Sequence, residues 1–216
     1  MIKHHLSDNM IRAYAAGQLP EAFNLIVATH ISLCDECRAA LSGYESLGGA
    51  ILESSTLADT AMPSLNATMQ RIKSAASTPS PQIFAAPPHN PETPRPLAAY
   101  IGSSLDDVNW KPLGMGVRQS ILATSAEATA RMLYIPAGIT IPDHGHHGTE
   151  LTLVLRGAYS DENDRFERGD IELADQDLHH TPIADTDQDC ICLAVTDAPL
   201  KFKNLLPRLM QPLFGI

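Results

Sequence analysis

Apolar residues recur at every third or fourth position between residue 7 and about residue 76, which is the spacing of helices with one buried face. Helix starts are predicted at three pairs of capping or first-turn residues, namely Ser7 with Asp8, Pro20 with Glu21 and Asp35 with Glu36. Gly17 predicts the end of the first helix, and Gly48 with Gly49 weakens the end of the third. We therefore expect a small helical bundle in residues 1–76.

A fourth, short amphipathic helix is predicted by Leu65, Met69 and Ile72. Its apolar face has two possible roles. It either packs on the bundle itself or remains open until a partner protein covers it. The sequence leaves both alternatives open.

The pattern breaks in residues 77–96, where seven of twenty residues are proline. Proline is excluded from helix interiors and from central strands, so this stretch predicts an extended linker. A flexible linker would let the units on either side move relative to each other.

Short β-type runs follow from about residue 97, and four of them are rich in Leu, Ile and Val: residues 130–135, 151–156, 169–173 and 190–195. Turn signals separate the runs, which is typical of a sandwich or barrel. The apolar tail, residues 205–216, predicts a short helix or a last edge packed on the barrel. The chain is therefore expected to be a multi-domain protein, α then β, with an antiparallel β-barrel in residues 97–216.

Charge and composition narrow the function. The net charge is -10, which disfavours direct nucleic-acid binding because phosphates require a basic surface. The chain has no apolar run long enough for a transmembrane helix, and its start lacks the pattern of a signal peptide. We expect a cytoplasmic protein without membrane contact, in which four reduced cysteines favour metal binding over disulfides.

The first candidate metal site lies in the helical part. His30 and Cys34 are four residues apart and share a helix face, and Cys37 follows after three more residues. His5 is the preferred fourth ligand and His4 the alternative. Four protein ligands of this type predict a closed, structural Zn²⁺ site. Buried, metal-free cysteines and a core histidine are the structural alternative.

The second candidate site lies in the β-type part. His144 and His146 are two residues apart on a probable strand and point to the same side, and Glu150 lies at a further even offset. A later strand must supply the fourth ligand. It is His179 or His180, and only one of the two should point inward, because neighbours in a strand face opposite ways. Histidine and carboxylate ligands predict zinc or another divalent metal here.

Other reactive side chains in this part have structural interpretations. Cys190 and Cys192 share one side of a probable strand, and core packing is favoured over a redox pair. Arg118, Arg131 and Arg156 could bind an anionic substrate, although a surface position is favoured.

Two family resemblances rest on these residues. The stretch HHLSDNMIRAYAAGQLPEAFNLIVATHISLCDECRAAL resembles the zinc-binding anti-sigma domain, and the pattern from Gly138 through His144, His146 and Glu150 to Gly157 resembles the first cupin motif. Together they are similar to the ChrR family of anti-sigma factors.

The resemblance implies a one-to-one complex with an extracytoplasmic-function-type sigma factor, released under singlet oxygen or related oxidative stress. It implies His5, His30, Cys34 and Cys37 as ligands of the first site. It implies His144, His146, Glu150 and His180 as ligands of the second, whose domain would be needed for the response. It implies no catalysis.

An enzyme is the main alternative, because many cupins are metal-dependent dioxygenases or isomerases. Such an enzyme needs an open coordination position, which three histidines and a glutamate can leave. The helical zinc domain would then be accessory.

Overall fold

The computed structural model describes residues 1–56, 62–75 and 90–202. These ranges contain five α-helices: α1 (Asp8–Ala15), α2 (Glu21–Leu33), α3 (Asp35–Ser54), α4 (Met62–Ala75) and α5 (Arg95–Ile101). A 3₁₀ turn, Leu105–Asp107, precedes the strands. The tail prediction for residues 205–216 lies outside the described residues.

Local capping fixes the helix ends. The Ser7 hydroxyl accepts a hydrogen bond from the Met10 amide at the start of α1, as the N-cap prediction requires. Gly17 follows this helix with φ +66°, a left-handed conformation that glycine adopts without strain. Cys34 ends α2 and caps α3, because its sulfur accepts from the Cys37 amide at 3.4 Å.

Helix α3 continues through Gly48 and Gly49 to Ser54. Its first turn is buried at Cys37, whereas its second half is exposed to solvent. Helix α4 lies outside both hydrophobic cores, as far as the structure describes its side chains. The second half of α3 and the described side chains of α4 are therefore exposed to solvent.

Residues 90–101 depart from the predicted linker and strand. Residues 76–89 lie outside the described part, but Arg95–Ile101 forms α5, with Pro96 in its first turn. A proline there sacrifices no helical hydrogen bond, so it starts the helix that it would break elsewhere. Leu97 and Ile101 bury one face of α5 against α2.

The β-strands form three antiparallel sheets. They are β1 (Lys111–Gly114), β2 (Val117–Ile121), β3 (Thr129–Ile135), β4 (His144–His146), β5 (Glu150–Arg156), β6 (Ala158–Ser160), β7 (Arg165–Glu167), β8 (Ile171–Ala174), β9 (His179–His180), β10 (Ile183–Ala184), β11 (Cys190–Thr196) and β12 (Leu200–Phe202). The large sheet has the order β1-β2-β3-β11-β5-β8, and the small sheets have the orders β10-β6-β7 and β12-β4-β9.

The expected β-barrel is not closed in the described residues. Several strands of the small sheets have only two or three residues, which leaves no room for a continuous ladder between sheets. The cupin-type fold is present, with the large sheet on one side of an interior and the small sheets around it.

Helices and large sheet share one hydrophobic core. Helix α2 packs on β11, β5 and β3, so that Ile26 and Val27 lie in one cluster with Leu153 and Leu193. Free movement of two units about a linker is therefore not what this structure shows. A second core fills the cupin interior and contains Val154, with Cys190 and Cys192 on the other face of β11.

The N-terminal segment also contacts the cupin part. The amides of Lys3 and His4 donate to Asp170 Oδ1 at 2.7 and 3.1 Å, and the Ile171 amide donates to the His4 carbonyl at 3.3 Å. Asp170 is buried. These bonds hold the residues that precede His5 against the turn before β8.

Candidate metal centres

Four side chains converge at the junction of α2 and α3. His5 Nδ1 lies 3.2 Å from Cys34 Sγ and 3.8 Å from Cys37 Sγ, and His30 Nε2 lies 3.3 Å from Cys37 Sγ. One potential ligand atom from each residue lies within 4.8 Å of all the others. The chain thus brings together the four residues that the sequence singled out, from three separate elements.

His4 is directed elsewhere. Its Nε2 lies 3.0 Å from Asp164 Oδ2, and its ring contacts Phe166 in the cupin part. The sequence favoured His5 and kept His4 as the alternative. The structure brings His5, and not His4, to the cysteines.

The donor set fits a tetrahedral cation. Zinc binds thiolate sulfur at about 2.3 Å and imidazole nitrogen at about 2.0–2.1 Å, which separates neighbouring ligand atoms by about 3.5 Å. The separations described above bracket that value. Burial lowers the pKa of His30 to about 4, which keeps its imidazole neutral. Burial raises the pKa of Cys37 to about 11, so a cation would have to displace its proton.

Three histidines converge in the cupin interior. His144 and His180 are opposite each other in the register of β4 and β9, which places their Nε2 atoms 3.2 Å apart. His146 lies on the same face of β4 as His144, as period two requires. All three are buried. His179 is exposed, so the structure brings His180, and not its neighbour, to the pair.

Two buried nitrogens of this cluster have no hydrogen-bond partner among the residues that the structure describes. They are Nδ1 and Nε2 of His146. An unpaired buried polar atom is costly unless a ligand satisfies it, so this observation fits a cation among the three rings. Burial lowers the pKa of both His144 and His146 to about 4, which leaves their rings neutral and able to donate lone pairs.

Glu150 lies beside the three histidines and not among them. Its Oε2 is 3.6 Å from His146 Nδ1, and its Oε1 accepts from the Thr152 hydroxyl at 3.2 Å. Burial raises the pKa of Glu150 to about 7. The carboxylate is therefore adjacent to the cluster, whereas its coordination of a cation stays a prediction.

Sequence reasoning missed two carboxylates next to His180. Its Nδ1 lies 3.0 Å from Glu172 Oε1 and 3.4 Å from Asp161 Oδ2. Glu172 lies on β8, in which Ile171 and Ala174 are buried as well. A carboxylate within an apolar strand was the available signal, because it requires a polar partner if it is buried.

The remaining reactive side chains have structural positions. Cys190 and Cys192 are buried in the second core with their sulfurs 3.4 Å apart, in agreement with core packing. Arg131 is buried and donates to Gln119 at 3.1 Å, so the surface prediction was wrong for it. It lies on the interior face of β3. Arg156 pairs with Glu92 and Asp106 at the surface.

A second candidate site is an exposed apolar surface on α3 and α4. Leu47, Ile51 and Leu52 of α3 are exposed, as are Leu65 (59%), Met69 (45%) and Ile72 (59%) of α4. Large apolar side chains exposed on helices that follow each other in the chain are typical of an interaction surface. We call these six residues the helical apolar surface.

No helix within the described ranges is both long and apolar enough to cross a membrane.

The fold and the ligand clusters define a cupin-type protein with a helical unit packed on its large sheet. Residues 99–199 match the family model described as ChrR Cupin-like domain. The chain is 53% identical over 215 residues to the Anti-sigma-E factor ChrR of Cereibacter sphaeroides, covering 100% of this chain and 99% of that protein. It belongs to the ChrR family of anti-sigma factors.

A solved structure extends the similarity to three dimensions. It is the crystal structure of Rhodobacter sphaeroides SigE in complex with the anti-sigma ChrR, which matches with 51% identity and a TM-score of 0.80. The match covers 91% of this chain and 100% of that chain. The likeness therefore includes both the helical unit and the cupin part.

Proposed function

We propose that this protein is a cytoplasmic anti-sigma factor that sequesters an extracytoplasmic-function-type sigma factor in a one-to-one complex. The relative named above is an anti-sigma-E factor, and the matching crystal structure is of a complex with SigE. The observation that carries the proposal is the helical apolar surface, because an anti-sigma factor needs a face that only its partner covers.

The helical apolar surface suits a protein partner. Leu65, Met69 and Ile72 recur at helical spacing on one face of α4 and are exposed. Within the described part of the chain, neither hydrophobic core includes them. Burying such side chains contributes about 1.5–3 kcal/mol each. Three of them are enough to anchor a tight complex when the partner is complementary.

We assign zinc to the first cluster, with His5, His30, Cys34 and Cys37 as its ligands. A four-ligand zinc site is closed to water and acts by fixing structure. Here it would tie the N-terminal segment to the junction of α2 and α3. Cys34→Ser or Cys37→Ser should therefore abolish sigma-factor binding, because the first turn of α3 loses its anchor. Tight binding by a zinc-free variant would contradict this role.

We assign a divalent cation to the cupin cluster, with His144, His146 and His180 as ligands and Glu150 as a fourth. Oxidation by singlet oxygen at or near this site would weaken the hold on the sigma factor. The direct packing of α2 on β11 supports this idea, because it gives a change in the cupin interior a short route to the helices.

Partner binding is tested with the full chain carrying Met69→Asp on the helical apolar surface. The matched control is Met115→Asp, since Met115 is 70% exposed on the cupin part. Each variant is co-expressed with the extracytoplasmic-function-type sigma factors of the same genome, and the dissociation constant is measured by calorimetry. We expect Met69→Asp to weaken binding at least 100-fold and Met115→Asp to change it less than threefold.

Equal binding by both variants would place the interface elsewhere. No sigma factor bound by the wild type, with cations still present in the cupin cluster, would favour the metal-dependent enzyme instead.

The response is tested by illuminating the purified complex with a photosensitiser and following dissociation. A His144→Ala, Glu150→Ala double variant should bind the sigma factor normally in the dark and release it at least tenfold more slowly in the light. Release at the wild-type rate would rule out the cupin site as the place of sensing.

A further inference from the structure

A buried polar chain lies behind His180, on the side away from the other histidines. Glu172 Oε1 is 3.0 Å from His180 Nδ1, and the Tyr159 hydroxyl donates to Glu172 Oε2 at 2.6 Å. All three residues are buried. Their hydrogen bonds are therefore formed away from competing water, where they are strong and directional.

Asp161 adds a second carboxylate on the same ring nitrogen. Its Oδ1 accepts from the amides of Asn163 and Asp164 at 2.8 and 2.9 Å in the turn between β6 and β7. These two bonds fix the carboxylate and leave Oδ2 directed at His180 Nδ1, 3.4 Å away. The turn thus holds Asp161 in place independently of the histidine.

The two nitrogens of His180 consequently face different surroundings. An ionised carboxylate can accept hydrogen bonds but cannot donate them. The Nδ1 atom of His180 must therefore carry the proton that it donates to Glu172. Nε2 then presents its lone pair toward His144 Nε2, 3.2 Å away, inside the histidine cluster. This tautomer is the one that can bind a cation among the three rings.

The other two rings of the cluster are oriented differently. His144 Nδ1 lies 2.9 Å from the Pro142 carbonyl, a neutral acceptor, and His146 Nδ1 lies 3.6 Å from Glu150 without a hydrogen bond. The ring of His180 is held by an ionisable partner, Glu172, which itself accepts a further hydrogen bond from Tyr159.

We propose that Glu172, braced by Tyr159 and assisted by Asp161, is the positioning residue of the cupin metal site. It fixes the tautomer and direction of His180, and the negative carboxylate makes the imidazole a stronger ligand. This proposal rests on the proposed cation at the three histidines. It assigns to Glu172 a role outside the coordination sphere, distinct from the ligand role expected of Glu150.

The test is metal affinity of the full-length protein, measured with Co²⁺ in competition with a chromophoric chelator. The cysteine-containing cluster gives a thiolate charge-transfer band and the cupin cluster does not, so the two sites are followed separately. We expect Glu172→Gln to weaken Co²⁺ binding at the cupin cluster 10- to 100-fold and to shift its visible spectrum. The thiolate band should titrate as in the wild type.

Tyr159→Phe and Glu172→Asp complete the series. Tyr159→Phe retains the buried ring and removes the hydrogen bond to Glu172. We expect it to lower the Co²⁺ affinity of the cupin cluster about three- to tenfold, less than Glu172→Gln does, because Tyr159 acts on His180 only through Glu172. Glu172→Asp keeps the charge and should retain part of the affinity that Glu172→Gln loses. Glu127→Gln, at an exposed position away from both clusters, is the control and should match the wild type.

A merely structural role is separated by the unfolding temperature of the metal-free proteins. Lost affinity in a variant whose metal-free unfolding temperature is unchanged supports positioning. Wild-type affinity in both Glu172→Gln and Tyr159→Phe overturns it while leaving the metal site intact. A wild-type protein that binds no Co²⁺ at the cupin cluster overturns the metal site itself, and this proposal with it.

Discussion

Gly157 joins β5 to β6 with φ +70°, in the left-handed region that favours glycine. A Cβ atom at this position would lie 2.4 Å from the Asp189 carbonyl oxygen, which belongs to the backbone and cannot rotate away. The turn holds the two strands that carry Glu150 and Tyr159. The absence of a Cβ atom at Gly157 therefore allows the close approach of the chain to Asp189 at this turn.

We expect Gly157→Ala to lower the free energy of unfolding by about 2 kcal/mol or more, from left-handed strain and the backbone clash together. Gly48→Ala is the control, since Gly48 is helical and has open space around its Cα. That change should raise stability by about 0.5–1 kcal/mol. Urea unfolding of the free protein measures both, and equal effects of the two substitutions would contradict the account.

A site residue can be predicted from the sequence when its position follows from spacing along one strand, and not when it follows from contacts between strands. Alternation along a strand predicts that only one of His179 and His180 faces inward, and the cupin resemblance favours His180. The structure brings His180 to His144 and His146. Glu172 was not foreseen, because its relation to His180 depends on how β8 lies behind β9. Such a contact is set by sheet packing, which local spacing does not encode.

Helix α2 is apolar almost all round. Ile26 and Val27 have no exposed surface although they point in different directions from the helix axis, since one face meets the other helices and another the large sheet. A helix buried on several sides is more sensitive to truncation than a surface helix.

Truncating this helix should therefore cost stability. We expect Ile26→Ala to lower the free energy of unfolding by about 3 kcal/mol, within the range for buried isoleucine. Ile51→Ala, at a 61% exposed position of α3, should change it by less than about 0.5 kcal/mol. Chemical denaturation gives both values, and a small loss at Ile26 would mean that the helix does not rest on the sheet in solution.

Elements differ in how far the sequence predicts them. Helix α2 follows from its periodicity and first-turn signals, and α3 from its capping residues. Helix α5 does not, because proline density outweighed its short apolar pattern, and only its packing on α2 makes seven residues helical. Barrel closure was also overestimated, since short strands do not reveal which edges stay unpaired.

At the scale of the molecule, the residues just before His5 fasten the helical unit to the cupin part. Asp170 accepts the amides of Lys3 and His4 through one oxygen and the Glu167 amide through the other. His5 follows directly and faces the cysteines. The first metal cluster is therefore held by the cupin part as well as by its own helices.

With the proposed zinc bound at the first cluster, we expect Asp170→Asn to accelerate its loss about tenfold, because a charge-assisted bond of about 1.5–3 kcal/mol is weakened. The rate of transfer to a competing chelator measures it. Asp177→Asn, at an exposed position of the cupin part, is the control and should leave the rate unchanged. An unchanged rate in Asp170→Asn would show that the helices alone retain the metal.

The two faces of β11 have a consequence for how this chain can be recombined. Ile191, Leu193 and Val195 belong to the core shared with α2, whereas Cys190 and Cys192 belong to the cupin interior. A chimera that joins the helices of one relative to the sheet of another would have to match the first set of side chains and could vary the second. A helical unit can thus be exchanged only together with every second residue of β11, a strand more than 150 positions further along the chain than α2.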